Sequence, residues 1–275
     1  MPPIGAPGAI GSSAVQAATA GDLLYVTGNT GTFAYVYMLS YPAGKVVGKI
    51  DKQIAGLCSD AQGNVYMTQS YHSTSTIFEY AHGAKKPKAT LVDPYNGASG
   101  CAVDRTTGNL AVANQEGNTV VVYAHARGKP KRYYIWFAPD FVAYNPKGEL
   151  FVTGGGSPAG FAELLSGQFR RVSMTKRIEF TMGVQWDGTY MALGEASGTY
   201  SDGLIRQYTI VKHKAIWQSG TKLGTFAYSF FIEGSTVVVA DGYRVYFFAY
   251  PAGGEPTKTI GNLASPYALT VSLAP

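Results

Sequence analysis

The chain has 275 residues, 46% of them hydrophobic and only 14% charged, with 34 glycines, 20 tyrosines and a net charge of +5. That apolar content is enough for a full core and excludes a disordered chain, while so mild a charge does not by itself mark a nucleic-acid binder, which needs basic residues clustered on one face. No apolar run approaches the roughly 18 residues of a membrane-spanning helix, and the low charge with many Gly, Tyr, Thr and Ser fits a β-rich protein of extracytoplasmic (secreted or periplasmic) type.

Residues 1–11, rich in Pro, Gly and Ala, read as a flexible arm, and 12–275 as one domain. The opening MPPIGAPGAIGSS lacks the basic and apolar regions of a signal peptide. A first unit (12–52) carries LLYVTG at 23–28, FAYVYMLSY at 33–41, the turn Pro42-Ala43-Gly44 and KVVGKI at 45–50. A second (54–95) runs AGLCSD, a turn at Gln62-Gly63-Asn64, VYMTQS, STIFEYAHG and KATLVDP. The third (97–137) is the cleanest copy: ASGCAVD, a turn closed by Gly108-Asn109, LAVA, TVVVY, and an aromatic strand after a Gly/Lys/Pro turn. The fourth (138–180) opens PDFVAYNPKGELFVTGG; its FAELLSGQF could pass for a helical turn but stands where other units have their third strand. The fifth (181–222) reads MGVQWDGTYMALGE, GLIRQYTIV and KAIWQSG, and the sixth (225–262) YSFFIEGSTVVVADG, RVYFFAYPAGG and PTKTIGN.

The glycine turns before each second strand fall at Gly21, Gly63, Gly108, Gly148, Gly188 and Gly234, spaced by 42, 45, 40, 40 and 46 residues. Four short strands repeated at this period predict an all-β, six-bladed β-propeller, because one four-stranded sheet cannot bury both faces whereas a ring of six covers every face and most edges. SPYALTVS matches an innermost strand with nothing after it, so residues 266–273 are expected to join the first blade and close the ring, with SSAVQA at 12–17 competing for that place. Cys58 and Cys101 fall in equivalent strands one register step apart. Alternate positions point to opposite faces, so the expectation is two separate buried thiols rather than a bridge.

The stretches GLCSDAQGNVYMT, GCAVDRTTGNLAVAN and GSTVVVADGYRVYFFAYPAGGEPTKTI resemble the repeats of NHL-type propellers, and more broadly the six-bladed SMP-30/gluconolactonase-like group. The resemblance spans about residues 16–273 and implies the fold. For function it implies only a range: binders, sensors, lyases and lactonases. Lactonase-like relatives hold a divalent metal over the channel with Glu, Asp and Asn side chains of the inner strands. Here the corresponding starts are IAGL, ASGC, PDFV, TMGV, YSFF and PYAL, of which only Asp140 is acidic, so no metal set and no cofactor is expected.

In such a ring the connections between blades and the loops after each second strand share one face. That face places Tyr71, His72, Asp140, Phe141, Phe180, Glu195, Phe226, Tyr228 and Tyr267 as candidate ligand-binding residues, its aromatics suited to a small molecule, a glycan or a protein. No catalytic set is legible: TGGGSPAG lacks the Lys-Ser/Thr pair of a phosphate loop, and GEASGTYSDG lacks the spacing of a nucleophile elbow. The expected protein is thus a non-enzymatic, monomeric binding or scaffold propeller. A lactonase-like hydrolase or lyase using Asp140, Glu195, Asp202 or His72 is the alternative, and a structural envelope module the third. His82 and His125 share an exposed turn in adjacent units. Asp104 and Asp187 are read as turn-stabilising acids. The basic residues Lys85, Lys86 and Lys88, Lys129, Lys131 and Arg132, Arg170 and Arg171, and Lys212 and Lys214 read first as edge protection, with nucleic acid an unlikely partner.

Overall fold

The computed structural model describes residues 21–71, 74–155, 158–196 and 203–275. Six sheets, each with an antiparallel four-stranded core, follow one another in chain order. Blade one holds Leu23–Asn29, Ala34–Ser40 and Val46–Ile50, with Leu269–Ser272 as its innermost strand. Blade two is Gly56–Ser59, Val65–Tyr71, Thr74–Tyr80 and Ala89–Asp93. Blade three is Ala98–Val103, Leu110–Asn114, Thr119–Tyr123 and Lys131–Tyr134. Blade four is Pro139–Tyr144, Leu150–Gly154, Gly160–Leu165 and Gln168–Arg171, so FAELLSGQF forms two strands and no helix. Blade five is Phe180–Trp186, Met191–Ala196, Gly203–Val211 and Lys214–Leu223; blade six is Ser229–Glu233, Thr236–Ala240, Val245–Ala249 and Lys258–Ile260.

Three of the second strands, Leu110–Asn114, Leu150–Gly154 and Met191–Ala196, are buried along their whole length, and the central residues of the others are buried too. Both faces of each lie against a neighbouring blade, so their sequences are apolar runs rather than alternations. Six buried clusters result, each shared by two adjacent sheets. Leu23, Tyr25 and Met38 of blade one meet Leu57, Val65 and Met67 of blade two, for example, and Leu24, Val26 and Leu39 meet Val238, Val245 and Phe247 of blade six. All six glycines inferred from the spacing have positive φ, from 55° at Gly234 to 106° at Gly21, which explains why glycine recurs there.

Ring closure follows the expectation. Leu269–Ser272 pairs antiparallel with Leu23–Asn29, and Ala268 extends the join: its N–H donates to Thr27 Oγ1 at 2.8 Å while its carbonyl accepts from Thr27 N–H at 2.9 Å. The competing segment 12–17 lies outside the described residues. Blade five carries an addition the repeat did not reveal. Ser173–Met174, assigned by the spacing to unit four, crosses over and pairs parallel with Lys214–Ala215, covering part of an outer edge that would otherwise be left unpaired.

The expectation of two separate thiols is overturned: Cys58 and Cys101 form a disulfide with their Cα atoms 5.6 Å apart. Opposite faces do not separate two residues on equivalent strands of a ring; they bring them together. Leu57 packs back towards blade one, whereas Cys58 packs forward into the cluster shared with blade three. Cys101, the counterpart of Leu57, points back from blade three into that same cluster. One register step between adjacent blades is thus the offset that faces two side chains across a shared interface.

Candidate functional site

The inner strands surround a channel of about 1310 Å³ that opens on both faces of the ring. At the loop-face mouth it is lined by Asn29, Gln115, Asp140, Tyr228, Tyr243 and Tyr267, and at the other end by Asp104, Arg105, Asp187 and Glu233. Between the mouths the wall is built from inner-strand residues at one equivalent position: Gly56, Gly100, Phe141, Gly183, Ser229 and Ala268. Two of these glycines answer a steric need. A Cβ on Gly56 would stand 2.2 Å from the Ser99 carbonyl oxygen, and one on Gly100 2.6 Å from that of Asp140. Phe230, one position further on, packs back against blade five, where Gly183 and Gly194 leave room for its ring: a Cβ on either would stand 3.0 Å from it.

Many polar groups of the wall are spent on joining blades. Ser59 Oγ donates to the Val271 carbonyl at 2.7 Å, Thr68 Oγ1 to that of Ser99 at 2.6 Å, and Ser99 Oγ to that of Asp140 at 3.1 Å. Gln185 makes a two-point contact with the Ile232 backbone, donating and accepting at 2.8 Å. None of these was legible in the sequence, because a Ser or Gln in a repeat carries no sign of which neighbour it will reach.

Of the nine candidates, Asp140, Phe141, Tyr228 and Tyr267 line the channel. Asp140 accepts a hydrogen bond from Gln115 Nε2, and burial pushes its carboxyl up to about 6. Gln115, which the sequence reading missed, follows directly on the second strand of blade three. Tyr267 donates its hydroxyl to the Ile54 carbonyl, and burial raises its pKa. Tyr228 is 46% exposed and receives the edge-on ring of the buried Phe226 at 4.9 Å. Tyr243 beside it is 82% exposed. Phe180 stands outside the lining, 44% exposed.

Glu195 also stands away from the lining. It is buried, its Oε2 accepting from Arg206 Nε at 2.6 Å within blade five. Tyr71 ends the strand Val65–Tyr71, while His72 and Asp202 lie outside the described residues. Among the described residues no three His, Cys, Asp or Glu side chains gather as metal ligands would.

At the opposite mouth the turn acids act as read. Asp104 Oδ1 accepts from Thr106 N–H at 3.0 Å, and Asp187 Oδ1 from the N–H groups of Thr189 and Tyr190. Burial works against the charge on Asp187, yet hydrogen bonds from Tyr250, Gln207 and those two amides hold its carboxyl below the ordinary range. His125 is exposed, as expected. His82 is half-buried instead: its ring bridges Ser272 Oγ at 2.7 Å and the Gly21 carbonyl at 3.0 Å, tying blade two to both ends of the described chain.

No family model matches the chain, and no curated protein matches it. Solved structures do. A chain of a nidogen/laminin complex superposes with a TM-score of 0.71 at 13% identity, covering 92% of this chain and 99% of that one. A protein from Lactobacillus plantarum gives 0.62 at 14% identity, covering 91% and 99%, and a functionally unknown protein from Desulfotomaculum acetoxidans gives 0.60 at 11%, covering 92% and 90%. Identities this low carry the fold alone. Together with the six sheets, they make the chain a β-propeller of six four-stranded blades.

Proposed function

We propose that this propeller is a non-enzymatic binding module that takes its ligand, a small molecule or a glycan or peptide end, at the loop-face mouth of the channel. The observation that carries the reading is the pairing there of two exposed aromatic rings, Tyr228 and Tyr243, with a channel that continues beneath them. Exposed tyrosines offer rigid contact area at little entropic cost, and a concave, mostly pre-formed site is where such area is effective. Asp140 with Gln115 supplies a hydrogen-bonding pair to orient what the rings hold. The resemblance to NHL-type repeats fits this role. The lactonase-like alternative is weakened by the engagement of Glu195 with Arg206, which among the described residues leaves Asp140 as the candidate acid lining this mouth. The Cys58–Cys101 bridge supports an extracytoplasmic setting, since disulfides persist in oxidising compartments.

The test is a thermal-shift screen of mono- and disaccharides, aromatic glycosides and short peptides against the wild type and a Tyr228→Ala/Tyr243→Ala variant. At about a hundredfold excess over its Kd a true ligand stabilises by about 2.7 kcal/mol, or roughly 5–10 °C in a chain of this size. That shift is expected to vanish in the variant. A ligand that stabilises both proteins equally would place its site elsewhere.

A further inference from the structure

Away from the channel, the outer strands of blades three and four bring together two stretches that carry no acidic residue, 117–139 and 164–178. Tyr133 and Phe169 meet edge-on across the gap at 6.4 Å. Along this rim lie Lys129, Lys131, Arg132, Arg170 and Arg171, all exposed, and the ion pairs found among the described residues include none of them. Two nearby carboxylates, Glu163 of blade four and Asp93 of blade two, are buried and engaged. Glu163 Oε2 accepts from His213 Nδ1 at 2.7 Å, and Asp93 accepts from Asn114 Nδ2 at 3.0 Å.

Edge protection explains lysines on an outer strand, but not what accompanies these arginines. The Arg132 guanidinium lies 4.5 Å from the ring centres of both Tyr95 and Tyr134, and that of Arg171 5.6 Å from Trp136. Tyr134 is 65% and Trp136 47% exposed. Tyr95 belongs to the connection from blade two and Tyr133 reaches blade four, so the stripe passes over both faces of the blade-three rim. A surface of that extent suits a polymer better than a single small anion.

We propose that this rim binds an acidic polysaccharide, its carboxylate or sulfate groups gripped by Arg132 and Arg171 and its sugar rings laid on Tyr134 and Trp136. Guanidinium forks match both oxyanions, and stacking on the aromatic rings fixes their planes in advance. A polysaccharide is favoured over nucleic acid because the disulfide points to an oxidising compartment. The site is separate from the channel mouth and does not depend on the function proposed there.

Binding to immobilised polygalacturonate, heparin, neutral dextran and a single-stranded oligothymidylate tests it across a salt series. The wild type is expected to bind one or both acidic polysaccharides, with affinity falling linearly in log–log form as salt rises, and to ignore dextran. Polygalacturonate and heparin distinguish carboxylate from sulfate recognition. Arg132→Ala/Arg171→Ala should weaken binding at least tenfold and flatten the salt slope by about one unit per charge lost. Trp136→Ala should weaken it several-fold with the slope unchanged. Arg132→Lys/Arg171→Lys, which keeps the charge, should fall between. Equal affinity of the wild type and the double alanine variant, equal binding to dextran, or tighter binding to the oligothymidylate than to both polysaccharides would overturn the proposal.

Discussion

Asp140 shows how a single side chain reports on its surroundings. Burial lets its folded carboxyl keep a proton up to about pH 6, while an unperturbed aspartate releases it near 3.8. Between those values the native state binds more protons than the unfolded one, so stability falls as pH rises through that window and stays lower above it. Asp140→Asn keeps an oxygen acceptor for Gln115 and removes the charge. It is expected to leave stability at pH 4 nearly unchanged and to raise it at pH 7 by about 1–2 kcal/mol, the two-unit shift discounted for water in the open channel. Urea unfolding at the two pH values checks this, and an Asn variant less stable than wild type at pH 7 would mean the carboxylate is held by groups that favour its charge. Asp140 was legible as the lone acid of the inner-strand starts. Gln115 was not, because its reach to Asp140 depends on how closely blades three and four approach.

At the scale of elements the disulfide is the clearest case. It joins inner strands of adjacent blades across 43 residues of sequence, and the chain-entropy model assigns such a loop about 4 kcal/mol. Cys58→Ala/Cys101→Ala is therefore expected to melt roughly 10 °C below the wild type, with the wild type moving to the same temperature in reductant. No loss in either sample would show that packing in the cluster around Tyr66, Val112 and Tyr123 holds the interface alone. The bridge escaped the sequence reading because strand alternation was judged within one sheet, whereas the contact lies between two. The crossover of Ser173–Met174 escaped for a related reason: two residues leave no periodic trace, and their partner strand lies in the next unit.

For the whole molecule the closing strand decides whether the blades form a ring. Besides its ladder to Leu23–Asn29, the C-terminal segment receives the Ser59 hydroxyl at Val271 and meets His82 at Ser272, so it fastens blade two as well as blade one. A chain ending at residue 265 loses all of these contacts and exposes the inner edge of Leu23–Asn29, a template for pairing with other chains. The truncated protein is expected to aggregate or to unfold without a cooperative transition, and a synthetic peptide of residues 266–275 added in trans should restore solubility. A truncated monomer with an unchanged Tm would show that the other inter-blade interfaces suffice. Closure also gives the channel its two mouths, since only a complete ring carries the loops bearing Asp140 and Tyr228 round to a common opening.

Fold class, blade number, the six turn glycines and the closing strand were determined by the amino-acid sequence alone, because each rests on local chemistry repeated at a fixed period: apolar strand, polar turn, glycine at positive φ. Tertiary structure alone decided that Cys58 meets Cys101, that Glu195 is taken by Arg206, that His82 clasps the closure, and that Arg132 and Arg171 lie over exposed rings. These contacts join residues whose separation in sequence carries no information about their separation in space. A repeat specifies its own sheet; the angle and distance to the next sheet come only from packing between blades.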